Sequence, residues 1–465
     1  MDLNPTLNWT AIFLIKGVDD TVKNMDNLVQ ELLLLKKTDD LAVILCINIK
    51  VEKIPAGYER GQDPATSGQT ALIYCLESKQ GGGCQLKILQ EKPDFNIQRQ
   101  QDIADFFDSN VLPDYAAKRY VLFTWDHGQP FGLYPQKKPL VGPDKGLKNV
   151  PAIIANNNRL YQPLLVHFRL WEFYRALSKD EKDRSKLDIF LEDKLDMLVI
   201  TELKNAIKDA FGDKNISLVV MANCYLQFFD TGYELSSCVN YLVAYETDMY
   251  FDNPFEYKTI LEILTCNPDI SDESLARMVV DSFSLSSNSS NDDQTVLKRL
   301  SVALFANDLS WYPAIAKFID ELADQLYKEL PRFYDKIKAA VDMCKHFSPG
   351  TPQFCLLDFG NFIRCLYSLA PGLFSVKSYE ILNILLQKTV IASFIGDQLQ
   401  NEDSAPFAAP SCFSVYLPNT NGFGNTDFFT NFIQSTSVYA TEFEKRFKWE
   451  RFIVRFTDML GNPPN

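Results

Sequence analysis

Three histidines occur in 465 residues, and one of them, His127, stands where the apolar run "RYVLFTWDHG" stops. Gly128 follows at once, which leaves the backbone free to turn and to approach another group closely. Ninety-seven positions later "SLVVMANC" ends in the same manner, on Cys224. A thiol and an imidazole delivered to one sheet edge make a cysteine nucleophile: the imidazole takes up the thiol proton, or favours thiolate by its charge, and later protonates a leaving amine. The amides of Gly128 and Cys224 are candidate donors to a developing oxyanion. Each residue alone has a plainer reading, since a cysteine ending a buried strand is commonly core and a single strand-end histidine is commonly structural.

The pair does chemistry only if the fold brings the two strand ends together. Residues 9–17, "WTAIFLIKG", and 41–49, "LAVILCINI", read as strands on either side of a helical segment in which Leu28, Leu32 and Leu35 recur at helical spacing. That is a βαβ unit, and it implies parallel strands. "TALIYCLE" and "CQLKILQ" read as an edge hairpin, "NIQRQQDIADFFDSNVL" as a helix, and residues 216–224 and 240–246 as further strands. In parallel α/β sheets, sites form beyond the carboxyl ends of the strands, where His127 and Cys224 fall. The expectation is an α/β domain over 1–270, interrupted by an insertion at 129–195. A polar linker near 284–294 follows, and a mainly helical region over 271–465 returns one strand near 412–418.

Composition narrows the function. A net charge of −14 disfavours nucleic acid and anionic membranes and favours a cationic partner. No apolar run approaches the roughly 18 residues that cross a bilayer. The first ten residues lack the charged-then-apolar layout of a leader, so a cytoplasmic location is expected unless an export signal has been removed. With 46% hydrophobic residues the chain has material for a large core. Ten cysteines without a CxxC pair support neither a zinc site nor a dithiol redox motif. No metal ligand set is expected, and no acidic cluster has an EF-hand-like spacing.

"RYVLFTWDHG", "LVITELKNAIKDAFGDKNISLVVMANC", "YELSSCVNYLVAYETDMYFDNPFEYKTIL" and "FSVYLP" resemble the clostripain-like cysteine peptidases, of the same clan as caspases and gingipains. "WTAIFLIKGVDDTVKNMDNLVQEL" and "KRFKWERFIVRF" are similar to that family too, so the resemblance spans most of the chain. It implies a caspase-like, mostly parallel sheet flanked by helices. It also implies Cys224 as nucleophile, His127 as its acid/base partner, Gly128 as oxyanion donor, and a peptide or protein substrate; a monomer is expected. Calcium dependence occurs in parts of the family and stays open. The family cleaves after Arg or Lys, which requires carboxylates in the receiving pocket, and it usually reads Asp-Ala-Cys at the nucleophile. Here the sequence reads Ala222-Asn223-Cys224, so the usual pocket aspartate is replaced by Ala222. Glu246, Asp248 and Asp252 occupy the region that lines the same pocket, with Asp252 favoured. The family also implies self-cleavage between histidine and cysteine, for which Lys137, Lys138, Lys145 and Lys148 are candidates. The alternative is an inactive relative that binds peptides or proteins, and a third reading is a small-ligand α/β protein.

Overall fold

A computed structural model of the chain describes residues 7–17, 21–62, 64–135, 197–249, 255–287, 302–344, 346–347, 356–400, 410–417 and 441–461. Its strands are β1 (Leu7–Gly17), β2 (Leu41–Lys50), β3 (Gln69–Ser78), β4 (Cys84–Pro93), β5 (Ala117–Trp125), β6 (Gly128–Gln129), β7 (Gly132–Leu133), β8 (Leu198–Val199), β9 (Ile216–Ala222), β10 (Val239–Tyr245), β11 (Ala303–Asp308), β12 (His346–Phe347), β13 (Leu356–Asp358), β14 (Val390–Ile395) and β15 (Ser414–Tyr416). Nine of them form one sheet in the order β14-β11-β10-β9-β5-β1-β2-β3-β4. The inner five, β2, β1, β5, β9 and β10, run parallel. Antiparallel pairs close both flanks, the β3–β4 hairpin on one side and β11–β14 on the other.

Side-chain alternation explains why the inner strands read as unbroken apolar runs. Along β5, Tyr120 and Leu122 face one core while Val121, Phe123 and Trp125 face the other. Along β9, Val219 and Met221 oppose Leu218, Val220 and Ala222 in the same way. Both faces are therefore buried, as crossover connections require of a parallel sheet. Helices α1 (Val22–Leu33), α4 (Tyr257–Cys266) and α5 (Asp272–Ser287) cover the Trp125 face. Helices α2 (Gln100–Phe106), α3 (Ile200–Phe211), α6 (Tyr312–Met343), α7 (Phe359–Leu369) and α8 (Trp449–Gly461) cover the other. In α1, Met25, Leu28, Val29 and Leu32 recur at helical spacing and are buried. Each such side chain stabilises the fold by about 1.5–3 kcal/mol.

Beyond residue 270 the structure corrects the expectation of a single returning strand. Among the described residues five strands lie there, and β11 and β14 extend the main sheet past that boundary. The strand expected at 412–418 is β15, which joins β12 and β13 in a separate three-stranded sheet. Short apolar runs such as "VIASFI" carry no periodicity that separates a strand from a buried helix segment, and β14 directly follows a helix at Val376–Thr389. Helix α5 reaches Ser287, inside the stretch expected as linker. In the expected insertion, β6 and β7 make a hairpin that β8 completes as a small sheet. Residues 136–196, with Lys137, Lys138, Lys145 and Lys148, lie outside the described residues.

One contact between helices titrates near neutrality. Glu31 of α1 accepts the Lys258 backbone N–H at 2.8 Å, at the first turn of α4, where a carboxylate caps unsatisfied amides. Burial pushes its carboxyl up to about 7, and the Lys258 amide only partly opposes that. A carboxyl raised on folding contributes stability that is full below its unfolded pKa and is lost as pH rises through the folded value. Thermal stability is therefore expected to fall between pH 5 and pH 8, with an upper bound of about 3 kcal/mol from this group. Glu31→Gln should flatten that slope; an unchanged slope in melts across the window would refute the assignment.

Candidate functional site

Strands β5 and β9 pair in parallel so that Trp125 is the partner of Ala222. His127 and Cys224 each stand two residues beyond that pair, just past the ends of adjacent strands. The turn that carries the histidine is held from several sides. Asp126 is fully buried with φ at 144°, a conformation side-chain-bearing residues rarely adopt, and its N–H donates to the Ala222 carbonyl at 3.4 Å. The His127 carbonyl accepts the Tyr134 N–H at 3.0 Å, and the Tyr134 hydroxyl donates to the Leu14 carbonyl of β1 at 2.8 Å. The Gln98 amide donates to the Tyr134 carbonyl at 2.6 Å. The histidine turn is thus fastened to the middle of the sheet.

Gly128 touches the Cys224 turn directly. A Cβ there would sit 2.7 Å from Asn223 Cβ, 2.8 Å from the Cys224 carbonyl oxygen and 2.9 Å from the Cys224 nitrogen. No side chain fits, and the backbone of Gly128 can therefore approach as closely as it does. Its N–H donates to Cys224 Sγ, as does the Met249 N–H at 3.3 Å. Burial pushes the thiol up to about 12, with the Asp248 carboxylate adding to the rise and the two amides opposing it. Among the described cysteines, only Cys224 and Cys266 escape full burial. Residue 224 is therefore partly exposed at its strand end, whereas Cys46, Cys75, Cys365 and Cys412 are core side chains.

Of the four residues expected to line a substrate pocket, the three described ones are placed differently from one another. Ala222 is 1% exposed and packs in the same core cluster as Trp125, Tyr245 and Met249, so position 222 presents no charge. Glu246 is not at the mouth: it is fully buried, accepts from Ser414 Oγ at 2.8 Å, and burial pushes its carboxyl well above the usual range. The cause is alternation at the end of β10, where Ala244 and Tyr245 face opposite cores and the next side chain turns toward the face that β15 covers. Asp248 is exposed next to Cys224 and accepts a hydrogen bond from the Tyr225 hydroxyl. Asp252 lies outside the described residues.

Sequence reasoning missed the Met249 amide, which only the path of the chain after β10 brings to Sγ. It also missed a buried amide bridge. Thr124 Oγ1 donates to Asn223 Oδ1 at 2.5 Å, and Asn223 Nδ2 donates to the carbonyls of Asp126 at 2.9 Å and His127 at 3.1 Å. Only a polar residue beside a strand-end cysteine hinted at it. Among the described residues no group of three or more His, Cys, Asp or Glu could hold a metal ion. Nor is any described helix long and apolar enough to cross a membrane.

The sequence model of the Clostripain family, peptidase C11, matches residues 141–455, which take in Cys224 and more than half of the chain. The chain belongs to the clostripain family. It is a clostripain-type cysteine peptidase by that membership, with a match that begins after His127. Solved structures share its fold across nearly the whole length. One is an inactive zymogen C11 protease from Parabacteroides distasonis, 11% identical with a TM-score of 0.57, the alignment covering 97% of this chain and 99% of that one. A secreted C11 cysteine protease from Bacteroides thetaiotaomicron is 14% identical at the same TM-score and the same coverage. The structure of a secreted C11 cysteine protease from the same organism, in complex with an irreversible peptide inhibitor, is 11% identical with a TM-score of 0.55, covering 92% and 98%. No curated protein sequence matches the chain. The likeness to these structures agrees with the caspase-like, mostly parallel sheet flanked by helices.

Proposed function

We propose that this clostripain-family chain is an endopeptidase working through a thioester acyl-enzyme, with Cys224 as nucleophile and His127 as its acid and base. The carrying observation is the register of β5 and β9, which sets His127 and Cys224 two residues beyond one paired position. Cys224 Sγ attacks the scissile carbonyl carbon as its proton passes to His127, and the tetrahedral oxyanion forms beside the amides of Gly128 and Cys224. The amine leaves with the proton from His127. Water then hydrolyses the thioester and the thiol is regenerated.

For the residue preceding the scissile bond, we propose Arg or Lys, read by Asp248. Two of the described candidates are unsuited, since Ala222 is uncharged and Glu246 is tied to Ser414, whereas Asp248 is exposed beside the thiol. The net charge of −14 draws cationic segments to the protein. A hydrogen bond to a charged group is worth about 1.5–3 kcal/mol, which sets the expected effect at roughly ten- to a hundredfold. Asp248→Asn should lower kcat/KM by that factor on peptides with Arg or Lys before the scissile bond. Peptides with a neutral residue there should be cut as fast or faster, because removing the charge also lowers the thiol pKa. Equal losses on both peptide sets would discard Asp248 as the reader of the basic side chain.

The test of the whole reading is cleavage of a peptide library by the wild type and Cys224→Ala, read by mass spectrometry with and without calcium. Ala222 favours the alternative of a non-catalytic peptide-binding relative, and that alternative predicts no cysteine-dependent cleavage from a folded protein.

A further inference from the structure

The amide bridge of Asn223 has no counterpart in the residues that the peptidase reading uses. Asn223 and Thr124 are both fully buried, so each hydrogen bond they make replaces water that cannot enter. The Thr124 hydroxyl donates to Asn223 Oδ1 at 2.5 Å, and this fixes which end of the amide faces the turn. The opposite end, Nδ2, then donates to two successive carbonyls, those of Asp126 and His127. Asp126 is the residue with φ at 144°, so the clamp acts where the backbone is least able to hold its own conformation. Asn223 is bonded to Cys224. One buried side chain therefore joins the turn that carries the imidazole to the residue that carries the thiol.

From this we infer that Asn223, oriented by Thr124, is a positioning residue for peptide-bond hydrolysis, locking the His127 turn in register with Cys224. The inference rests on the peptidase reading. It touches neither substrate nor the reacting atoms, and its effect passes through His127. Without the clamp the turn is still attached through the Tyr134 N–H and the Ala222 carbonyl, so the fold persists while the imidazole loses its fixed place. Misplacement of about 1 Å in a reacting group can cost a hundredfold in rate.

The test is steady-state kinetics on one peptide that the wild type cleaves, with thermal melts confirming that each variant is folded. Asn223→Ala should lower kcat by about ten- to a hundredfold with KM nearly unchanged. Thr124→Val, which removes only the orienting hydroxyl, should lower kcat in the same sense, and Thr124→Ser should restore it. In a His127→Ala background Asn223→Ala should add no further loss, because the residue it positions is gone. If Asn223→Ala does not fold, the Thr124 pair carries the same comparison.

Wild-type kcat in both Asn223→Ala and Thr124→Val overturns the inference, as does a loss that adds fully to that of His127→Ala. These results leave the peptidase reading intact. If instead cleavage by the wild type is undiminished in Cys224→Ala, or no peptide is cleaved, the peptidase reading fails first and takes the inference with it.

Discussion

Cys224→Ala is expected to abolish peptide-bond cleavage, with kcat falling by roughly 10⁴–10⁶ as for other enzymes stripped of their nucleophile. No other described cysteine is placed to take over. Among the described cysteines the others are buried, apart from Cys266 at the end of α4. The fold should survive the change. Cys224 ends no helix and carries no buried charge, and its Sγ accepts hydrogen bonds from only two backbone amides, those of Met249 and Gly128. Losing an acceptor of that kind costs about 1 kcal/mol. The measurement is turnover on a cleavable peptide beside a thermal melt. An intact melt with lost turnover assigns the nucleophile, whereas full turnover in Cys224→Ala removes the thioester route and with it every role given to the surrounding residues.

The parts of this site that were legible in the sequence are those fixed by strand burial. β5 and β9 are buried on both faces, so each reads as an unbroken apolar run whose end is visible, and His127 and Cys224 mark those ends. The antiparallel flank was legible only at β3 and β4, where "SKQGGG" announces a turn between two apolar runs. β11 and β14 have no such signal, since runs of four or five apolar residues next to helices fit either state. The family resemblance puts Glu246 in the region that lines the pocket, but the period-two alternation of β10 decides its direction and turns it toward Ser414. The bridge from Thr124 to Asn223 joins residues 99 positions apart. Neither periodicity nor composition records such a pair; only the parallel register of β5 with β9 creates it.

His127→Ala is expected to lower kcat by about 10²–10⁴ at neutral pH, and its residual rate should depend on pH in a way the wild type's does not. The reason is the thiol itself. Burial and the Asp248 carboxylate push it up to about 12, so at pH 7 on the order of one molecule in 10⁵ carries thiolate without help. A base that accepts the proton during attack removes that handicap. With His127 present, the rate should level off once the imidazole is neutral. Without it, attack must wait for spontaneous thiolate, so the residual rate should rise about tenfold for each pH unit up to the thiol pKa. Asp248→Asn in the His127→Ala background should raise that residual rate at fixed pH, because the larger of the two carboxylates that raise the thiol pKa is gone. A residual rate that is flat with pH would mean that another group takes the proton, and the pairing of His127 with Cys224 would have to be abandoned.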